Sequence, residues 1–141
     1  MLTFEELTNS EAIKTYIIRA DESLAALGFT EHSFSHVLHV ANLAGKILHK
    51  LGYDSRTVEL AKIAGFMHDI GNAVNRKNHG EYGALLADRI LEKTDLPLED
   101  RVTIVSAIGI HDESTGGAKD AVSAALILAD KTDVRRNRVR P

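Results

Sequence analysis

The chain has 141 residues, of which 44% are hydrophobic, a formal net charge of −3 and no cysteine. That length suits one compact domain with a single core. The mild acidity excludes a global basic field for coating nucleic acid or anionic membrane, and the missing cysteines exclude disulfides and thiolate metal sites. No apolar run approaches the ~20 residues needed to span a bilayer. The opening "MLTFEELTNSEAIK" lacks the basic and apolar regions of a signal peptide, so the expectation is a cytoplasmic protein.

Two prolines and almost no alternating β-branched runs predict an all-α fold, a compact bundle of about six helices. "SEAIKTYIIRADESLAALG" is the first, capped by Ser10 and ended by Gly28, with Ile13, Tyr16, Ile17, Ala20, Leu24 and Leu27 as its inner stripe. "SFSHVLHVANLAGKILHKLG" is the second and stops at Gly52. "SRTVELAKIAGFMHDIG" is the third, from Ser55 to Gly71. A polar connector, "NAVNRKN", leads to "HGEYGALLADRILEK", the fourth. After the turn "TDLPLED", Pro97 opens a fifth over roughly 98–111. The loop "DESTGGAKD" precedes a sixth, from Ala121 past Asp130. The closing "RRNRVRP" reads first as a solvated helix end and second as a phosphate-binding segment.

The chemistry concentrates where apolar helices end. "AGFMHDIGN" runs an almost wholly apolar segment into His68-Asp69, "VTIVSAIGIHDE" does the same into His111, and "AVSAALILADKTD" into Asp130. Helices apolar on all sides are buried ones, and a lone interior charge costs several kcal/mol. One cation compensates several such groups together. His36 points with the stripe of Val40, Leu43 and Ile47, and His79 opens the fourth helix on the side of Gly83, Leu86 and Ile90. Singly, each inward histidine is more often a satisfied core group. Together His36, His68, Asp69, His79, His111 and Asp130 exceed what one tetrahedral zinc takes, and they suit two ions if one carboxylate bridges. Asp69 is the natural bridge, since its neighbour His68 serves only one side. Such a pair holds a hydroxide and clamps a phosphoryl oxygen for in-line attack, which predicts hydrolysis of a phosphate ester or anhydride. His32, His39 and His49 fall outside the set: His49 is read as solvated, the other two as surface in preference to supporting positions around the site.

His36, His68-Asp69 and Asp130 match the H…HD…D pattern of the HD superfamily of metal-dependent phosphohydrolases, and "HVLHVANLAGKIL" and "AGFMHDIGN" resemble its two metal helices. His79 and His111 place the chain with the H…HD…H…H…D subgroup. That subgroup includes the HD-GYP cyclic-di-nucleotide phosphodiesterases and the bacterial symmetrical diadenosine tetraphosphate hydrolases. "NHGEYGALLA" and "AIGIHDESTGG…ALILADKTDVRRNR" are similar to segments of the latter, while the Gly-Tyr-Pro motif of the former is missing after His111. The resemblance covers roughly residues 30–138 and leaves an N-terminal helix, 1–29, unassigned within a single HD domain spanning 1–141.

The resemblance implies an HD-domain fold and two divalent metal ions. Fe or Mn is expected first; Zn, Co, Ni or Mg is compatible. His36, His68, Asp69 and Asp130 would hold one ion; Asp69, His79 and His111 would hold the other, with His68-Asp69 at the catalytic heart. Many members carry a lysine where this chain has Asn72. Asn72 itself, Arg76, Lys77, Lys131 and Arg135 are the candidates for holding substrate phosphate. Asp112 and Glu113, in place of small polar residues, disfavour a nearby polyphosphate. The expected partner is a small phosphorylated substrate of nucleotide type, with no membrane and no nucleic acid, and a homodimer left open. The alternatives are a non-catalytic HD-like domain that binds a ligand or nucleotide, a cyclic-dinucleotide phosphodiesterase, and, weakest, a nucleic-acid-binding protein using the arginine tail.

Overall fold

The structure is a computed structural model that describes residues 1–112, 117–133 and 140. Ser10 accepts the Ile13 N–H and starts a long helix as expected, but a short turn of helix precedes it. α1 is Phe4–Leu7, capped by Thr3, and α2 is Glu11–Ala26. Then follow α3 (Phe34–Lys50), α4 (Ser55–Met67), α5 (His79–Leu91), α6 (Leu98–Ile110) and α7 (Ala121–Lys131). Among the described residues there is no strand. Gly28 and Gly52 end α2 and α3 at φ +85° and +86°, a left-handed conformation that glycine adopts without steric cost.

Five of the six expected helices lie within a residue or two of their predicted bounds. The third does not. α4 starts at Ser55 as expected, capped by Asp54, but stops at Met67, and the chain then tightens into a 3-10 turn over Ile70–Ala73. His68 and Asp69 therefore sit on the corner between two helical geometries, not inside one helix. The corner lifts both side chains out of the α4 ladder and aims them at one space.

α4 lies at the centre, packed against α1, α3, α6 and α7, while α2 covers the 3-10 turn. Its C-terminal half is buried but for Lys62, with Leu60, Ala61, Ile63, Ala64, Gly65, Phe66 and Met67 all inside. Burying each large side chain of this kind contributes about 1.5–3 kcal/mol. Two expectations need correction. Leu27 was placed on the inner stripe of α2 but is 62% exposed, because the helix is already unwinding toward Gly28. α6 and α7 are not apolar-buried all round: Leu98 and Val102 on α6, and Leu128 on α7, face outward. Among the described residues α4 packs against four other helices, and its C-terminal half is the most enclosed helical segment next to the site.

Two glycines set the spacing on which the site depends. A Cβ on Gly65 would stand 2.7 Å from Ala41 Cα, so α3 and α4 approach backbone to backbone. A Cβ on Gly71 would fall 1.9 Å from the His79 carbonyl oxygen and 2.5 Å from the Gly83 nitrogen. The 3-10 turn thus lies directly against the start of α5, and an alanine at 71 has nowhere to go without separating Asp69 from His79.

Candidate metal centre

Five parts of the fold deliver the six predicted ligands. His36 comes from the first turn of α3, His68 and Asp69 from the corner after α4, His79 from the first residue of α5, His111 from the end of α6, and Asp130 from the last turn of α7. The structure brings all six together. His36 Nε2 lies 3.3 Å from His68 Nε2 and 3.2 Å from Asp130 Oδ1, and His68 Nε2 lies 3.3 Å from the same oxygen. Asp69 Oδ2 closes the group at 3.3 Å from His36 and 3.2 Å from His68. Ligands bonded at about 2.0–2.2 Å stand roughly 3.0–3.5 Å apart around one ion, so these four atoms have the spacing of a coordination shell.

The other oxygen of Asp69 faces a second set. Oδ1 is 3.9 Å from His79 Nε2 and 3.7 Å from His111 Nε2, and those two nitrogens are 3.1 Å apart. One carboxylate therefore stands between two histidine groups, with one oxygen turned to each.

The tautomers agree with this arrangement. His68 Nδ1 is 2.6 Å from the Gly65 carbonyl, His79 Nδ1 is 3.1 Å from that of Arg76, and His111 Nδ1 is 2.6 Å from that of Ile108. A carbonyl only accepts, so each Nδ1 carries the proton and each Nε2 presents a lone pair inward. His36 Nδ1 donates instead to a carboxylate, Asp133 Oδ2, at 2.7 Å. Asp69 Oδ2 is buried and accepts no well-formed hydrogen bond. Lone pairs converging on an orphaned buried carboxylate oxygen are the donor set of a cation, and nitrogen and oxygen ligands without sulfur suit a divalent transition metal.

The electrostatics of the metal-free chain point the same way. Burial pulls the His68 imidazole down, but Asp69 and Asp130 beside it outweigh burial and hold it well above the usual histidine value. His36 is raised on balance too, against burial, by Asp130 and Asp69. Burial works to raise Asp69, yet His68, His111 and His36 keep it well below the usual carboxylate range. Asp130 is lowered, with His68 the first cause acting against burial. His79 goes the other way, lowered first by burial and then by His111. Without metal, protons on His36 and His68 balance the carboxylates, and a metal must displace them. Affinity of the His36–His68–Asp130 group is therefore expected to keep rising with pH above about 6.5, beyond the point where a histidine free of these carboxylates has lost most of its proton. His79, whose pKa is lowered, gives up its proton earlier and should contribute little to that dependence. Metal-competition titrations at several pH values measure both.

A recess of about 170 Å³ opens over the cluster, lined by His32, Asp69, Arg76, His79, His111, Asp112, Asp130 and Lys131. It is smaller than the roughly 300–1,000 Å³ of a whole-ligand pocket. A larger recess of about 500 Å³ lies elsewhere, among Leu7, Ile13, Tyr16, Leu86 and Ile90, and holds no histidine or aspartate.

The candidate phosphate-binding residues separate. Arg76 and Lys131 line the recess. Lys77 is exposed and is not among its lining residues. Asn72 is buried: its amide nitrogen donates to the Asp69 carbonyl at 3.1 Å, and its oxygen accepts from Arg76 at 3.3 Å. Arg76 is further held over the Phe29 ring, 4.9 Å from its centre. Arg135 and Glu113 lie outside the described residues.

Of the three histidines set aside, His49 is exposed and His39 is half-buried beside Asn42 and Lys46, away from the cluster. His32 is not a surface residue. It is 9% exposed, packs edge-on against His36 with ring centres 5.1 Å apart, and lines the recess. The sequence reading also missed Asp133, which is buried against His36. Its spacing of three from Asp130 at a helix end was the available signal.

No helix among the described residues is long and apolar enough to cross a membrane. The chain is similar in sequence to other proteins over most of its length. It is 28% identical to the "Uncharacterized protein MJ1020" of Methanocaldococcus jannaschii over 99% of this chain and 62% of that protein. It is 35% identical to ribonuclease Y of Wolinella succinogenes over 77% of this chain, and 36% identical to that of Latilactobacillus sakei over 69% of it, but spans only 19% of either ribonuclease. No solved structure matches. The HD domain profile matches residues 33–135, a stretch that takes in all six clustered residues, and the chain belongs to the HD domain family, whose members are generally divalent-metal-dependent hydrolases.

Proposed function

We propose that the chain is a metal-dependent phosphohydrolase with a two-ion centre, cleaving a phosphate ester or anhydride of a small nucleotide-type substrate. The observation that carries the reading is the position of Asp69, whose two oxygens face two separate groups of histidine Nε2 atoms. His36, His68, Asp69 and Asp130 would hold one ion, and Asp69, His79 and His111 the other. Two ions so held supply Lewis acidity and lower the pKa of water, so no side-chain nucleophile is needed. The chain's own part is orientation. Arg76 and Lys131, on the rim of the recess, receive phosphate oxygens, and the recess admits a phosphoryl group while the rest of the substrate lies outside it. Asn72 acts through Arg76: it tethers the guanidinium that takes over the charge a lysine at 72 supplies in many family members.

The finer assignment, symmetrical cleavage of diadenosine tetraphosphate, is supported by the segments around His79, His111 and Asp130. Asp112 on the rim weighs against a highly charged polyphosphate. A second reading, cleavage of an RNA phosphodiester, is favoured by the similarity to ribonuclease Y. The acidic net charge weighs against it.

The test is one panel on protein reconstituted with Fe or Mn: dinucleoside polyphosphates, cyclic dinucleotides, nucleoside monophosphates, deoxynucleoside triphosphates and a short RNA. About two metals per chain with hydrolysis of one class is the expected result. Metal-loaded protein inert on every class would instead make it a binding module, and protein that takes up no metal would overturn the reading at its base.

A further inference from the structure

The structure assigns a seventh side chain, His32, to the first ion's shell, as a further protein ligand beside His36, His68, Asp69 and Asp130. This inference rests on the two-ion reading above.

His32 stands outside the helices, at the end of the loop from α2 to α3. Its Nδ1 is 2.6 Å from the Thr30 carbonyl, so the proton sits there and the Nε2 lone pair is turned inward. Nε2 is 3.9 Å from Asp69 Oδ2, the oxygen that faces His36 and His68 and not the one that faces His79 and His111. Two acceptors turned to one buried space repel unless a cation or a donated proton lies between them. His32, His36 and Asp69 each offer a ligand atom within 4.8 Å of the others. The 3.9 Å separation falls between that of adjacent ligands, roughly 3.0 Å, and that of opposite ligands, roughly 4.2 Å, for bonds of about 2.1 Å.

The loop that carries His32 is built to hold it there. The His32 N–H donates to Asp21 Oδ1 at 2.9 Å. Arg140, from the other end of the chain, donates to the same Asp21 oxygen at 2.7 Å, to the Phe29 carbonyl at 2.5 Å and to the Thr30 carbonyl at 3.1 Å. The carbonyl that fixes the His32 tautomer is thus itself fixed by Arg140. An imidazole left at the surface has no use for two such anchors, whereas a ligand from a loop needs them, since no helix fixes its direction. A fifth protein ligand takes the first ion beyond the four of a tetrahedral zinc site and toward ions that accept five or six.

Cobalt(II) is the probe, because its visible absorption reports coordination number independently of catalysis. The wild-type protein should bind about two Co²⁺ per chain. His32→Ala should bind one of them about tenfold more weakly, with a visible band changed in intensity, and the other unchanged. His32→Gln, which keeps volume and neutrality, should shift the same way and is decisive if the alanine variant fails to fold by circular dichroism. Two Co²⁺ bound with unchanged affinity and an unchanged band in both folded variants would overturn the role of His32 and leave the two-ion centre standing. A wild-type protein that binds no Co²⁺ would overturn both.

Discussion

Replacing Asp69 with alanine is expected to abolish metal binding and hydrolysis together. Asp69 is the one carboxylate shared by the two histidine groups, with Oδ2 near His36 and His68 and Oδ1 near His79 and His111. In the proposed two-ion centre its removal would take one ligand from each ion, together with the negative charge that offsets a buried dication. What remains is a set of buried histidines with Asp130 and Asp133 beside His36, and no carboxylate stands between the two histidine groups. Activity should fall to background, a loss of at least about 10³-fold, since the chemistry depends on water made nucleophilic at neutral pH. Elemental analysis and a hydrolysis assay on the folded variant read both effects. Full metal content with full activity would sink the bridging role.

The second large effect is expected at Asp133, which touches no predicted reacting atom. Its Oδ2 accepts from His36 Nδ1 at 2.7 Å, and both side chains are fully buried. That bond fixes the ring and its tautomer, and the carboxylate makes Nε2 a stronger donor toward a metal. The other three clustered histidines use a neutral carbonyl for the same purpose. His36 alone has a charged partner, so its ligand strength depends on Asp133. Asp133→Asn keeps the shape and can still accept the bond but removes the charge. Metal affinity on the His36 side should fall about 10- to 100-fold, and hydrolysis with it at limiting metal. Activity should recover partly when metal is raised to saturation. A variant that merely loses stability would show a lowered melting temperature without that recovery, and it would show that Asp133 is only structural.

Much of this centre was legible before any coordinates. Periodicity places His36 on the inner face of α3, because a helix fixes the direction of each side chain relative to its neighbours at i+4 and i+7. The apolar runs ahead of His68, His111 and Asp130 mark where buried helices end. What stayed hidden belongs to residues whose direction no helix fixes. His32 lies in a loop, and its orientation depends on Asp21, 11 residues earlier, and through it on Arg140, 119 residues from Asp21. Asp133 matters because of a histidine 97 positions away. Asn72 looked like a phosphate ligand short of a charge; the fold buries it and gives it Arg76 to hold.

The sequence by itself determined an all-helical chain and the six ionisable groups its apolar helices carry inward. Local propensity and the cost of burying unpaired charge suffice for that. Only the tertiary structure decided how the six divide around the two oxygens of Asp69, and that His32 and Asp133 stand with them. Those relations are set where the helix ends meet. The corner after Met67 and the close seat of Gly71 on α5 fix them, and both come from packing between segments far apart in sequence.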